Sequence, residues 1–280
     1  MHCLKWVACL FVLFGVVSMV QSQEKSMSDA PRGVQILKTI ALPASTSLWT
    51  GKIPELGVPK PVDHSKTETL SFWFFIPTST AAQTKDGLPL LLFLHGAGER
   101  GSNPKVVKTH GPPKFLDTDQ VKTWPFITVS PQCPDGKYWS PQQLLVLIDD
   151  IALRYPVDRS RIYVTGLSMG GFGTWMLLNE APGKFAAAVP VCGGGDPAWI
   201  KHIGAVPVWI HHGGADGVVP VQLSKNMFDA MNNADAVKTG KCPKPRLSIY
   251  PGVGHNSWVK AYDDPNVWSW LLSNKTTEAK

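Results

Sequence analysis

Six apolar runs, each about as long as a strand, divide the chain between residues 88 and 254. An unbroken run of this kind is typical of a strand buried on both faces, as in a parallel sheet covered by helices. Helical spacing of apolar residues fills the gaps between the runs, which predicts a mostly parallel, doubly wound α/β sheet flanked by helices. The runs are LPLLLFLHG (88–96), FITVSPQ (126–132), RIYVTGLS (161–168), FAAAVPVCGG (185–194), VPVWIHHGG (206–214) and RLSIYPGVG (246–254).

Two earlier segments complete the predicted sheet. Residues 34–42 and 69–76 alternate or run apolar over strand lengths, and they predict two opening antiparallel strands and a total of about eight. Among the helices, the one after residue 140 has the clearest start, with Ser140 as N-cap, Pro141 at the first helical position and Gln143 three residues on.

The chain has 280 residues, 44% of them hydrophobic, which suits a single α/β domain with a sizeable core. Residues 1–22 form a separate segment, with Lys5 in a short basic region, an apolar run over residues 6–17, and Val20 and Ser22 at a small-residue cleavage site. This pattern predicts a secretory signal peptide, since the apolar run is too short to span a bilayer. We therefore expect a secreted or periplasmic protein without stable membrane insertion after cleavage.

Within the mature chain, residues 23–65 are expected to form an irregular N-terminal segment with the first strand, and residues 66–275 the main α/β core of the same domain. The formal net charge of +6 falls by one when Lys5 is removed, and the basic residues are scattered, so nucleic acid is not an expected partner. The remaining cysteines, Cys133, Cys192 and Cys242, have no metal-ligand spacing, and either one disulfide or three buried thiols would fit. No metal or cofactor is expected.

The segment VTGLSMGGFGTW places Ser168 between Gly166 and Gly170 at the junction of a predicted strand and a predicted helix. This is the G-x-S-x-G pattern of a nucleophile elbow, in which the chain passes so close to the serine turn that only glycine fits. The pattern is weak alone, but its position between a strand and a helix makes Ser168 the candidate nucleophile. Gly171 and Gly173 would let the helix pack tightly on the sheet.

A serine nucleophile needs a base, and the base needs an acid to hold its tautomer, in the chain order Ser, Asp or Glu, His for this arrangement. Asp216 follows the seventh predicted strand and His255 the eighth. Asp196, after the sixth strand, is the rival acid. His211 and His212 precede the acid, and the simpler interpretation of both is a core histidine bonded to backbone.

When a serine attacks a substrate carbonyl group, negative charge develops on the carbonyl oxygen. Two fixed N–H donors are needed to stabilise this charge in the transition state. The amide of Met169 follows the nucleophile directly, and the loop HGAGERG after the third strand offers that of Ala97. In this loop we expect His95 to be a structural hydrogen-bonding residue. We expect Glu99 and Arg100 to form an ion pair that braces the loop.

At these residues the chain resembles the α/β-hydrolase superfamily, and within it the extracellular esterases related to polyhydroxybutyrate depolymerases, feruloyl esterases and prolyl-oligopeptidase-like predicted peptidases. The resemblance runs from about residue 88 to residue 272, whereas residues 23–65 match nothing in the family. It implies a triad at Ser168, Asp216 and His255 and an oxyanion hole at Ala97 and Met169. The resembling stretches are FLHGAGERGSN, HGPPK, YWSPQQLL, VTGLSMGGFGTW, VPVWIHHGGADGVVP and YPGVGHNSW.

These features predict a secreted serine hydrolase that cleaves small or polymer-attached carboxylic esters through an acyl-serine intermediate, with a minimal lid. Three tryptophans near the expected mouth, Trp139, Trp199 and Trp258, are candidate substrate contacts, although packing is the commoner use of such residues. Two alternatives stay open: a peptidase of the prolyl-oligopeptidase type, and a non-catalytic binding module on the same fold. The acyl and alcohol groups and the oligomeric state are not specified by the sequence.

Overall fold

The computed structural model describes residues 30–42 and 68–276. Within these ranges one sheet contains eight strands in the spatial order β1-β2-β4-β3-β5-β6-β7-β8. All neighbours from β4 through β8 pair in parallel, so the predicted doubly wound sheet is confirmed. The strands are β1 (Gln35–Leu42), β2 (Glu68–Phe75), β3 (Leu88–Leu94), β4 (Ile127–Pro131), β5 (Val157–Leu167), β6 (Ala187–Val191), β7 (Trp209–Gly213) and β8 (Arg246–Tyr250).

The sheet begins with antiparallel strands, as the sequence predicts. β1 pairs with β2 from Gln35 opposite Phe75 to Leu42 opposite Glu68. β2 in turn pairs antiparallel with β4. β1 is thus an edge strand of the sheet, paired with the first strand of the core predicted for residues 66–275.

The helices lie between the strands, as the apolar spacing predicts. Ser140 caps α2 by accepting a hydrogen bond from the backbone N–H of Gln143 at 3.4 Å, and Pro141 occupies the first turn. The α-helices of the described residues are α1 (Gly111–Phe115), α2 (Pro141–Arg154), α3 (Met169–Glu180), α4 (Ile200–Ile203), α5 (Val221–Asn232), α6 (Asp235–Lys238), α7 (Trp258–Tyr262) and α8 (Pro265–Leu272).

Each face of the sheet carries its own apolar core. Alternate residues of β3 point to opposite faces, so Leu90 and Leu92 pack into one core and Leu91 and Phe93 into the other. The first core is covered by α2, α3 and α5, and the second by α1, α7 and α8. Because both faces are covered, β3 is apolar and buried along its whole length.

The connection from β6 to β7 is short. It contains one 3-10 helix, Pro197–Trp199, followed by the four-residue α4. A segment of this length leaves the carboxyl edge of the sheet without a large covering domain there, in agreement with the predicted minimal lid.

The three cysteines of the described residues are buried free thiols. The structure therefore favours the second of the two arrangements that the sequence allowed. No helix within residues 30–42 and 68–276 is long and apolar enough to cross a membrane. The predicted signal peptide, residues 1–22, and most of the 23–65 segment lie outside the described residues.

Candidate active site

The chain turns sharply at Ser168, between β5 and α3. Ser168 has φ 53° and ψ −117°, and a residue other than glycine rarely adopts a positive φ. Its backbone N–H donates to the carbonyl oxygen of Val191 at 2.9 Å, which ties the turn to the end of β6. This strand–serine–helix turn is the local structure that a nucleophile elbow requires, and it puts Ser168 at the carboxyl edge of the sheet.

Glycines around this turn are required by close backbone approaches. A Cβ atom on Gly166 would collide with the carbonyl oxygen of Gly170, and one on Gly170 would collide with the carbonyl oxygen of Leu94. Both distances would be well under 3.0 Å, which is closer than a Cβ atom approaches other heavy atoms in proteins. A Cβ on Gly171 would lie 2.5 Å from the carbonyl oxygen of Val191. The glycines therefore allow α3 to begin directly against the strand ends.

The loops after β7 and β8 bring Asp216 and His255 to the serine. His255 Nε2 lies 2.9 Å from Ser168 Oγ, and His255 Nδ1 lies 2.8 Å from Asp216 Oδ2. The Asp216 side chain is fully buried, whereas that of His255 is 20% exposed. These three residues, separated by up to 87 positions in the sequence, meet because the carboxyl ends of parallel strands share one edge of the sheet.

Asp216 is held by hydrogen bonds on both carboxylate oxygens. Oδ1 accepts from the backbone N–H groups of Val218 and Val219, each at 2.9 Å. Burial acts to raise the pKa of Asp216, but hydrogen bonds from His255, Val219 and Val218 outweigh it, and the pKa lies below its ordinary value. At neutral pH Asp216 is thus a carboxylate, able to accept a hydrogen bond from the Nδ1–H group of His255 and to stabilise an imidazolium.

The rival acid Asp196 and the rival base His211 make contacts outside the candidate triad. Asp196 is exposed and caps the 3-10 helix Pro197–Trp199, accepting from the backbone N–H of Ala198 at 2.8 Å. His211 is buried with Nδ1 2.8 Å from the hydroxyl of Tyr250, and burial lowers its pKa to about 4. Asp196 therefore caps a helix, and His211 is a buried core histidine, as expected, but its hydrogen-bond partner is a side chain and not backbone.

His212 was expected to bond to backbone, and its Nε2 does lie 3.0 Å from the carbonyl oxygen of Val219. The same nitrogen also lies 3.1 Å from Asp216 Oδ2, a contact that the sequence analysis missed. His212 and Asp216 are four positions apart, on either side of a tight turn. This spacing is the sequence signal that could have indicated the contact.

The predicted oxyanion-hole residues begin the two helices beside the serine. Met169 is the first residue of α3, and Ala97 is the first residue of the 3-10 helix Ala97–Glu99. A first-turn N–H has no partner within its own helix, so both amides can serve a ligand. The loop is close to the nucleophile, since a Cβ on Gly96 would lie 3.6 Å from Ser168 Cβ.

The contacts of Glu99 and Arg100 differ from those predicted. Glu99 Oε2 accepts from the backbone N–H of Gly96 at 2.9 Å, and its Oε1 lies 3.8 Å from Nε2 of His110. Arg100 instead donates to the carbonyl oxygens of Ala97 and Lys137. Both residues brace the loop, as expected, but through separate contacts that are mostly with backbone groups.

His95 fixes the same loop from inside the protein. Its Nε2 accepts from the backbone N–H of Cys133 at 2.9 Å, so the ring proton sits on Nδ1, 2.6 Å from the carbonyl oxygen of Gly96. Burial lowers the pKa of His95 to about 4, which keeps the ring neutral. The predicted structural role of His95 is confirmed.

The three candidate tryptophans occupy different environments. Trp139 is only 5% exposed, and its indole N–H donates to the carbonyl oxygen of His95 at 3.2 Å. The expectation that Trp139 contacts substrate is therefore corrected: it packs behind the loop, because its ring fills the space next to Gly173. Trp199 is partly buried in the cluster that contains Phe172 and Leu223. Trp258 is the one of the three whose ring contacts the candidate base, His255.

The ring of Trp258 is 5.4 Å from that of His255 and nearly perpendicular to it. The ring of His110 lies 5.2 Å from Trp258. Trp258 thus forms a wall of the site beside the candidate base, and it stays the best candidate of the three for substrate contact.

One group of potential metal ligands within the described residues is Cys192, Asp216 and His255, whose ligand atoms lie within 4.8 Å of one another. Two of these atoms already form the 2.8 Å hydrogen bond between His255 and Asp216. Burial raises the pKa of the Cys192 thiol to about 12, and a protonated thiol is a poor ligand. The donor set thus fits an acid–base pair better than a cation.

The sheet order and the strand–serine–helix turn are those of the α/β-hydrolase fold. A model of the prolyl oligopeptidase family matches residues 135–202, which include the turn. The bifunctional acetylxylan esterase/xylanase XynS20E of Neocallimastix patriciarum is 30% identical over 141 residues, covering 48% of this chain and 20% of the relative. Poly(3-hydroxyalkanoate) depolymerase C of Paucimonas lemoignei is 42% identical over 48 residues, 17% of this chain and 12% of the relative.

Among solved structures, a thermostable esterase superposes with a TM-score of 0.65 and 28% identity, covering 85% of this chain and 63% of that one. The chain is thus similar to α/β-hydrolases of the esterase group. It spans a fifth or less of the length of the two curated relatives. Their activities are therefore properties of longer proteins.

We expect that Ser168→Ala abolishes labelling by a fluorophosphonate and lowers turnover by about 10⁴- to 10⁶-fold, because a triad acts as a unit. Intact-mass spectrometry of the wild type should show one added phosphonyl group. Circular dichroism should show an unchanged fold in the variant. Continued labelling of folded Ser168→Ala would assign the nucleophile to another residue.

A matched pair of variants tests the acid. Asp216→Asn keeps the shape of the side chain but can hold the wrong imidazole tautomer, so turnover should fall by about 10³- to 10⁴-fold. Asp196→Asn, at the exposed helix cap, should leave turnover nearly unchanged in the same assay. The reverse order of effects would move the acid to the loop after β6.

Proposed function

We propose that this protein is a serine hydrolase that cleaves carboxylic esters through an acyl-serine intermediate. The observation that carries this proposal is the chain of hydrogen bonds from Ser168 Oγ through the two ring nitrogens of His255 to Asp216 Oδ2, at 2.9 and 2.8 Å. A hydroxyl is a weak nucleophile until a base takes its proton, and this geometry supplies the base and its orienting acid.

In the acylation step, Ser168 Oγ attacks the ester carbonyl carbon while its proton passes to His255 Nε2. The carbonyl oxygen becomes an oxyanion, which the amides of Met169 and Ala97 would stabilise. Asp216 stabilises the imidazolium without taking its proton. Collapse of the tetrahedral intermediate breaks the bond to the alcohol oxygen, which leaves with the proton from His255.

The deacylation step repeats this chemistry with water. His255 takes a proton from the water as its oxygen attacks the acyl-serine carbonyl, and the same two amides hold the oxyanion. The bond to Ser168 Oγ then breaks, and His255 returns its proton to the serine. The products are a carboxylic acid and the free enzyme.

The proposed substrates are small or polymer-attached esters. Two relatives are named as an acetylxylan esterase and a poly(3-hydroxyalkanoate) depolymerase, both of which act on esters of polymers. The short β6–β7 connection supports access by such a substrate, and the wall formed by Trp258 beside His255 offers an apolar face for part of it.

A peptidase is the second candidate. The match of the prolyl oligopeptidase family to residues 135–202 favours it, because this segment contains Ser168 and the start of α3. An amide leaves as an amine that must be protonated while the bond breaks, so peptidases need tighter alignment of the leaving group. Esterase relatives with broader similarity favour ester hydrolysis.

Matched substrates separate the two candidates. We expect short-chain or aryl esters to be cleaved at least about 100-fold faster by kcat/KM than anilides or peptides with the same acyl group, a difference of about 2.7 kcal/mol in transition-state stabilisation. Ser168→Ala serves as the blank for every substrate. Comparable rates on a prolyl or alanyl anilide, lost in Ser168→Ala, would favour the peptidase.

We also propose export directed by residues 1–22, on the pattern of Lys5, the apolar run and the small residues before position 23. Expression of the full chain in a bacterial host should deliver protein outside the cytoplasm with Gln23 at its N-terminus, as measured by mass spectrometry. Uncleaved protein that stays in the cytoplasm would contradict this proposal.

A further inference from the structure

His212 lies at the centre of a second chain of contacts to the candidate acid. It is on β7 and its side chain is completely buried. Its Nε2 lies 3.0 Å from the carbonyl oxygen of Val219 and 3.1 Å from Asp216 Oδ2. Its Nδ1 lies 2.7 Å from the hydroxyl oxygen of Ser224, on α5. A chain of close polar contacts therefore continues from the nucleophile beyond Asp216 through two further side chains, His212 and Ser224.

The proton positions follow from the partners of each ring nitrogen. A carbonyl and a carboxylate only accept hydrogen bonds, so His212 Nε2 must carry a proton and share it between them. Burial lowers the pKa of His212 against the opposing effects of Val219 and Asp216, so the ring is neutral at pH 7. Nδ1 is then an acceptor, and the Ser224 hydroxyl donates to it. The carbonyl oxygen of Gly193, 3.1 Å from Ser224 Oγ, is a second acceptor for the same hydroxyl.

We propose that His212 and Ser224 are positioning residues for the hydrolytic reaction: His212 holds the Asp216 carboxylate in line with His255, and Ser224 fixes the His212 tautomer that donates to it. This inference rests on the proposed function, because it takes Asp216 as the acid of a working triad.

The contact acts on the reacting groups through charge as well as position. Oδ2 of Asp216 accepts from His255 and lies 3.1 Å from His212 Nε2, while Oδ1 accepts from two backbone N–H groups. Within residues 30–42 and 68–276, the Cys192 thiol is another ionisable group near this carboxylate, and it stays protonated because burial raises its pKa. Loss of the His212 donor would leave more negative charge on Oδ2 and allow the carboxylate to turn.

The test compares His212→Phe with His212→Gln. Phenylalanine keeps a ring but removes both nitrogens, whereas the glutamine amide can place an N–H near the position of Nε2. We expect His212→Phe to lower kcat by about 10- to 100-fold, as for a small misplacement of a catalytic group, with little change in KM. The acid limb of its pH–rate profile should move to higher pH, because the more negative carboxylate stabilises protonated His255. His212→Gln should recover most of the loss.

His211→Phe is the matched control. His211 is the neighbouring residue on the same strand and is equally buried, but its ring contacts Tyr250 instead of Asp216. A purely structural role for His212 predicts that both phenylalanine variants lose stability and lose activity only in proportion to the folded fraction, with an unshifted acid limb. That result, or full kcat in folded His212→Phe, would overturn the proposal.

Two readouts separate this inference from the ester activity. The rate at which a fluorophosphonate labels Ser168 measures triad function without an ester substrate, and it should fall in His212→Phe even if the wild type cleaves none of the esters tried. Nitrogen chemical shifts of ring-¹⁵N-labelled histidine report the His212 tautomer whether or not the protein is active. A proton on Nδ1 instead of Nε2, or an unchanged labelling rate in His212→Phe, would contradict the positioning role.

Discussion

The candidate site depends on one close backbone contact, where the first turn of α3 meets the end of β3. Gly170 lies so near the carbonyl oxygen of Leu94 that no side chain fits between them. Because β3 and β5 pair in parallel, with Leu94 beside Gly166, this contact also sets the separation between the serine turn and the loop that follows β3. The positions of Met169 and Ala97, the candidate amide donors beside Ser168, therefore depend on this contact.

Burial divides the histidines of the site into fixed and reactive groups. His95, His211 and His212 are fully enclosed, and burial lowers the pKa of each. Each is neutral at pH 7, and its hydrogen bonds orient backbone or side chains around the reacting groups. His255 differs because its ring keeps 20% of its exposure. A base must exchange protons with substrate and water, so the histidine with access to solvent is the one suited to that role.

The sequence predicted those features that depend on chain order and periodicity. The strands, the antiparallel opening and the turn at Ser168 follow from apolar runs and glycine positions, and the candidate acid and base follow from their places after β7 and β8. Side-chain contacts were harder to predict from the sequence. The burial of Trp139 depends on space next to Gly173, and the partners of Glu99 depend on the direction of its turn, neither of which leaves a pattern in the sequence. His212 was predicted to be a core residue, but its contact with Asp216 depends on how the loop after β7 folds back.

Backbone strain is concentrated at the same edge of the sheet. Within residues 30–42 and 68–276, the two residues other than glycine with positive φ are Ser168, at 53°, and Cys192, at 39°. They follow directly after Leu167 and Val191, which are paired at the ends of β5 and β6. Such conformations persist where the surroundings over-determine them, and here hydrogen bonds from the amides of Ser168 and Cys192 to the next strand along provide that constraint. The parallel sheet therefore both assembles the reactive side chains and holds the strained turn that exposes one of them.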